Sequence, residues 1–243
     1  MEKWVAINNQ AVGRDKIARL IQYTSRAIWD SLEAVECQPS LAERFKTLEY
    51  ILSSFRKLLR FGKCLDMFYA AFRTIHYPDL TIRITMTLGR ISQAIFLFSD
   101  HFMWLSRTGL FNTIDVKKWS KFSNKYWLFS IVMNLCRDVY EIFRLIDLHK
   151  ASCKSGISRS PNIPLRVNSK EDLSRLALMS YSMMHAHKEV VVDTLKNVCD
   201  FFIPLNALGY TSMTPRTIGM LGAISSAAGL LALWDPTAKL SPA

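Results

Sequence analysis

The side chains able to do acid, base or metal chemistry are scattered through this sequence and do not converge. His185 and His187 form a His-x-His, but on a helix two such residues point about 200° apart and cannot grip one ion from one face. The five cysteines, Cys37, Cys64, Cys136, Cys153 and Cys199, contain no Cys-x-x-Cys and are odd in number, which argues against structural zinc and a disulfide framework. There is no phosphate-binding glycine loop, no dinucleotide fingerprint and no His-Glu-x-x-His. Carboxylates are dispersed, several beside basic residues, so no pair is set aside for acid–base work. The expectation is a protein that is not an enzyme and that carries no cofactor or metal.

Two segments hold the physical signal instead. On a helical wheel the segment Ile51 to Phe72 gathers Phe55, Leu58, Leu59 and Leu65, with Ile51, Leu52, Tyr69 and Phe72, on one broad arc. Arg56, Lys57, Arg60 and Lys63 share the opposite arc. A helix of this kind lies in a bilayer interface, apolar residues among the acyl chains and cations on headgroups at about 1 kcal/mol each. Asp66 and Arg73 fall on the apolar side and Met67 on the polar one, so the pattern weakens beyond Leu65. A core-facing helix with a solvated basic face has the same period, and periodicity does not separate the two.

The second segment, Thr217 to Trp234, has 18 residues without a charge. At about 1.5 Å per residue it is just long enough for the hydrocarbon core. Gly219, Ala223 and Ala227 recur every fourth residue, as do Gly222 with Ser226. Such a smooth face suits close helix packing in lipid, hence self-association; a small-residue helix inside a soluble core is the other reading. Between the two lies a polar seam, Asn134, Arg137, Asp138 and Glu141, in an otherwise apolar stretch. Arg137 and Glu141, four apart, either pair with each other or face a neighbouring helix.

Spacing of three and four and scarce Gly and Pro make the whole chain helical. Helices are expected from about residue 9 to Cys37, and from the capping box Ser40 to Glu43 through to about Ile75, before Pro78. Others run from Asp79 to about Arg107, from behind Asp115 to about Lys150, from a Ser169 and Asp172 cap to Pro204, and from Pro215 to Pro236. The fold class is all-α, a bundle of about six helices with amphipathic membrane-associated helices and a C-terminal membrane-spanning helix. Four regions follow: a cytosolic amphipathic part at 1–86, a membrane-associated hairpin at 87–150, a Ser-, Pro- and Gly-punctuated linker at 151–168, and C-terminal helices at 169–243 with the span at about 217–234.

Half of the 243 residues are hydrophobic and the formal charge is +11, which calls for an anionic partner. The excess lies in the first two thirds: residues 1–86 carry 13 basic against 9 acidic side chains, and residues 87–160 carry 11 against 5. Basic residues alternate with large apolar ones rather than forming runs, favouring an anionic phospholipid surface over nucleic acid. The first residues lack the layout of a secretory signal and no glycosylation sequon occurs, so a cytosol-facing protein is expected. Ser241-Pro242-Ala243 is not a peroxisomal import tripeptide.

Several stretches, in order along nearly the whole chain, resemble the peroxin-11 family. They are Arg56-Lys57-Leu58-Leu59-Arg60-Phe61-Gly62-Lys63, Trp104 to Gly109, Lys118-Trp119 through Tyr126, Asn134-Leu135-Cys136-Arg137-Asp138-Val139-Tyr140-Glu141-Ile142, Cys199-Asp200-Phe201-Phe202-Ile203-Pro204-Leu205, and Gly222 to Leu240. The resemblance implies an integral peroxisomal membrane protein with termini facing the cytosol that elongates and divides peroxisomes and self-associates. It also implies binding to the peroxin-19 membrane-protein receptor and recruitment of dynamin-related fission machinery. Arg56, Lys57, Arg60 and Lys63 match the basic face of the family's membrane-tubulating helix, and Leu58 and Leu59 its apolar face. The family's other span corresponds to residues 86–105, where Arg90 and Asp100 suit a tilted or protein-covered helix. A pore for small metabolites is the alternative function, motivated here by the polar seam.

Overall fold

Asp79 accepts hydrogen bonds from the amides of Thr81 and Ile82, 2.8 and 3.2 Å away, and so starts a helix where the sequence places one. Local signals of this kind set most boundaries in the structure, a computed structural model that describes residues 1–35, 39–109, 115–157 and 187–238. Among the described residues there are eight α-helices, one short 3₁₀ turn at Pro236–Ala238 and no strand. The helices are α1 (Glu2–Asn9), α2 (Ala11–Ala34), α3 (Pro39–Leu59), α4 (Lys63–Thr74), α5 (Leu80–Arg107), α6 (Val116–Ile157), α7 (Lys188–Ala207) and α8 (Pro215–Trp234).

Eight exceeds the expected six for two local reasons. Glu2–Asn9 forms a helix, α1, ahead of the first expected one, and extended Gln10 separates it from α2. Gly62 takes φ +78°, a conformation that costs other residues a steric penalty, and it divides the expected helix between Ser40 and Ile75 into α3 and α4. Three boundaries also move. Pro39, expected to end the connection, occupies the first turn of α3, where its missing amide hydrogen is no loss, so Ser40 lies inside the helix. α6 continues past Lys150 to Ile157, and α7 continues past Pro204 to Ala207. The rest of the expected linker, 158–168, the Ser169 and Asp172 cap and His185 lie outside the described residues.

Neighbours in sequence are neighbours in space, and the series closes. α2 packs on α3, α3 and α4 on α5, α5 on α6, α6 on α7, α7 on α8, and α8 returns to α2. The distribution of polarity around this ring is inverted relative to a water-soluble bundle. Asp15, Arg19, Arg56, Asp100, Asp138 and Asp200 are buried, whereas Ile21, Phe55, Leu65, Phe98, Leu195 and Ile224 are exposed on the outside. Apolar clusters inside are small, Tyr23 with Ile203 and Ile218, and Cys64 with Phe96 and Leu97.

Candidate functional site

α3 and α4 keep the two faces that the wheel separates, and the ring decides which way each points. Phe55, Leu58 and Leu65 are on the outside, Leu65 with 70% of its surface exposed, together with Ile51, Phe61, Tyr69 and Phe72; Leu59 is half-buried. The four cations turn inward. Arg56 is buried, its Nε donating to Asp15 at 3.0 Å and its Nη1 to Gln22 at 2.8 Å. Arg60 pairs with Asp100 at 2.8 Å and lies 3.8 Å from Asp15. Lys57 and Lys63 are half-buried beside them. The solvated basic face of the core-facing reading is therefore not present: carboxylates on α2 and α5 attract the cations inward, and the apolar arc is left outside. At the break between the helices the Gly62 amide donates to His101 Nε2 at 3.2 Å, tying the turn to α5.

The inward faces of α2 to α7 enclose a cavity of about 510 Å³ lined by nine cationic side chains and three carboxylates. The carboxylates are spoken for: Asp15 holds Arg56, Asp100 holds Arg60, and Asp200 on α7 forms a two-pronged ion pair with Arg19. One wall is aromatic, with Phe96 and Trp127 stacked at 5.4 Å and the Arg60 guanidinium 5.6 Å from the Phe96 ring centre. The α6 wall is a polar stripe of Ser120, Ser123, Ser130 and Asn134, spaced for one helix face.

The seam on α6 is a contact between helices. Arg137 pairs with its neighbour Asp138 at 2.7 Å and with Asp193 of α7, and Asn197 donates to Asp138 at 2.6 Å. Arg137 thus faces α7 rather than Glu141, which instead has Arg144 at 3.8 Å. On α5, Arg90 donates to the Ala70 carbonyl at 2.7 Å and Asp100 meets Arg60, so both charges in the 86–105 stretch are covered by protein. The Tyr140 hydroxyl donates to Asp79 at 2.6 Å; together with the Ile82 and Thr81 amides it holds the Asp79 carboxyl below the usual carboxylate range. His187 has Glu189 3.4 Å away.

α8 is, among the described residues, the helix long and apolar enough to cross a membrane. Its small-residue stripe meets α2 of the same chain. A side chain on Gly219 would come within 2.6 Å of the Ala27 backbone nitrogen, and one on Gly222 would enter the Tyr23 ring. Ser226 is buried and donates to the Gly222 carbonyl at 2.6 Å; Ala223 is half-buried against the Tyr23 cluster. Of the five residues expected to self-associate, Ala227 alone is exposed, on an outer strip with Met220, Ile224 and Leu231.

The sequence reading did not single out Asp15, Lys16, Arg19, Lys196 or Asp200, although they line the cavity. Their signal was polar residues at spacings of three and four in mostly apolar helices, as in Asp15, Arg19 and Gln22.

Among the described residues, charge lies inside a closed ring, apolar residues lie outside it, and one helix is long and apolar enough to cross a bilayer, a distribution that suits a helical protein of a membrane. The chain belongs to the peroxisomal biogenesis factor 11 (PEX11) family, whose model matches residues 1–234. It is similar to peroxisomal membrane protein 11B of Bos taurus, 31% identical over 264 residues, and of Homo sapiens, 29% over 265, with all of each chain covered. Peroxisomal membrane protein 11A of Homo sapiens is 29% identical over 244 residues, 99% of each chain. No solved structure matches the chain. The family implied by the sequence motifs is thereby borne out.

Proposed function

We propose that this chain is an integral protein of the peroxisomal membrane, with termini facing the cytosol, that remodels and elongates that membrane and so promotes peroxisome proliferation and fission. The observation that carries this reading is the unpartnered apolar outer face of α3 and α4, from Ile51 through Phe55, Leu58 and Leu65 to Phe72. Seated among the acyl chains of one leaflet, that face adds area to the leaflet and curves it. Its partner is then an anionic phospholipid membrane, not nucleic acid. Arg56 is committed to Asp15, so headgroup contact falls to Lys57 and Lys63, with Arg60 joining if it releases Asp100. Self-association through α8 uses Ala227 and its outer neighbours, while Gly219, Gly222, Ala223 and Ser226 hold α8 against α2. Peroxin-19 and dynamin-related fission machinery complete the partners.

The test is tubulation of anionic liposomes by full-length protein carrying Leu58→Glu and Leu65→Glu, both exposed positions. Loss of tubules with helicity intact supports insertion; tubules as abundant as with the unaltered chain refute it. The closed ring and its charged cavity favour a second reading, a pore for small metabolites. Planar-bilayer recordings with verified incorporation decide it, since a silent bilayer removes the pore.

A further inference from the structure

The cavity's charge does not balance. After Asp15, Asp100 and Asp200 have neutralised Arg56, Arg60 and Arg19, Lys196 has Asp193. Lys16, Lys57, Lys63 and Arg90 still face the same space, with Arg107 exposed at its rim. Among the described residues none of these five has a carboxylate within ion-pair distance: Lys57 has the Ser53 hydroxyl at 3.4 Å, Arg90 a carbonyl and Arg107 the Ser54 hydroxyl. The guanidinium groups of Arg90 and Arg107 cannot shed their protons, so that part of the positive field is permanent, while burial pushes the Lys16, Lys57 and Lys63 ammonium groups below the usual lysine range. Cations collected from four helices around one space, in excess of its carboxylates and mostly shielded from bulk water, repel one another. That arrangement is unfavourable for the empty protein and favourable for one holding an anion.

We propose that the cavity is a binding site for a phosphate group carrying two or more negative charges. A single carboxylate or a phosphodiester offers one charge to the excess cations, whereas a phosphomonoester offers about two near neutral pH and oxygens in several directions, matched to the fork of an arginine and the point charge of a lysine. The volume, about 510 Å³, is that of a small-metabolite site. The stacked Phe96 and Trp127 wall gives the uncharged part of the ligand an apolar surface. The phosphate belongs either to a soluble phosphorylated metabolite or to a phosphomonoester on a phospholipid headgroup entering from the side. The site shares Lys57 and Lys63 with the headgroup contact of the remodelling reading, but not the apolar outer face on which that reading rests.

The experiment uses full-length protein in nanodiscs of uncharged phosphatidylcholine, followed by calorimetry and thermal unfolding. One arm adds inorganic pyrophosphate, the other a short-chain phosphatidylinositol phosphate. Lys57→Met and Lys63→Met report on the cavity; Lys117→Met with Lys118→Met, both exposed at the start of α6, reports on non-specific surface charge. The expected result is saturable binding that weakens about tenfold or more in each cavity variant, falls with added salt and is unchanged in the surface variant. Without ligand, both cavity variants melt no lower than the unaltered protein, because a repulsion has been removed. Binding of pyrophosphate identifies a soluble ligand, and binding of the lipid alone a headgroup; both support the site. The proposal is overturned if neither probe binds below about 1 mM, or if the surface variant loses as much binding as the cavity variants. Tubulation is scored separately with Leu58→Glu and Leu65→Glu, outer-face changes that leave the cavity cations in place, so failure of this site and failure of membrane remodelling are distinguishable.

Discussion

Replacing Arg56 by Met asks directly whether the cations of α3 serve the interior. Arg56 is 8% exposed and its Asp15 partner 7%, so little solvent screens the pair. Removing one member of a buried ion pair costs about 3–5 kcal/mol, because the other charge is left without compensation. Here Arg60, 3.8 Å from Asp15, retains part of the neutralisation, which places the loss near the lower end, roughly 3 kcal/mol. In a chain of this size each kcal/mol moves the melting temperature by about 2–4 °C. Thermal unfolding in detergent should therefore show a fall of roughly 6–12 °C. Removing the partner as well, in Asp15→Leu with Arg56→Met, should recover most of that fall, since an apolar pair of similar volume replaces a buried ion pair at little net cost. If the single variant melts within about a degree of the unaltered protein and the double variant is no different, Arg56 is not buried against Asp15 and the inward placement is wrong.

Gly219→Val puts side-chain atoms where the Ala27 backbone nitrogen stands at 2.6 Å; it should lower the melting temperature by an amount matching about 1–3 kcal/mol or more of overpacking, while Ala227→Val on the outer strip leaves it unchanged. Gly62→Ala meets no neighbouring atom but must hold φ +78°, so a loss of about 1–2 kcal/mol is expected, with Gly62→Asn milder in the same unfolding assay. Asp79, with its pKa depressed by Tyr140 and two amides, stabilises the fold above the ordinary carboxylate value of 3.8 and loses that contribution as pH falls through its lower folded value. The difference in melting temperature between the unaltered chain and Asp79→Asn should accordingly be steady at neutral pH and vanish in acid well below 3.8.

Where a boundary depends on residues beside it, the sequence was readable: Asp79 capping α5, Gly109 after α5, Asp115 before α6 and Pro215 opening α8 all sit where expected. Gly62 was not read as a break because it lies within an unbroken apolar arc, and its positive φ is a tertiary matter tied to His101. The wheel for residues 51–72 separated the two faces but could not say which points outward, since a lipid-facing and a core-facing stripe have one period. What decides is Asp15 and Asp100, far away in sequence and brought beside α3 only by the ring. The small-residue stripe of α8 was legible as a surface for close approach; that its occupant is Tyr23 and Ala27 of the same chain depends on which helix arrives beside it.

The order of helices around the ring has a bearing on how the protein is made. Each helix from α2 to α7 packs on one that precedes it in the chain, except α4, which waits for α5, so most of the wall can assemble as synthesis proceeds. The last seam is different: Arg19 waits for Asp200, 181 residues later, and the face of α2 around Tyr23 and Ala27 waits for Gly219 and Gly222. Until α7 and α8 emerge, a nascent chain exposes a charged trough and a bare helix flank together, neither of which water or lipid alone can satisfy. Completion therefore waits for both α7 and α8, and a chain cut short before Asp200 leaves Arg19 without its counter-charge and the ring open.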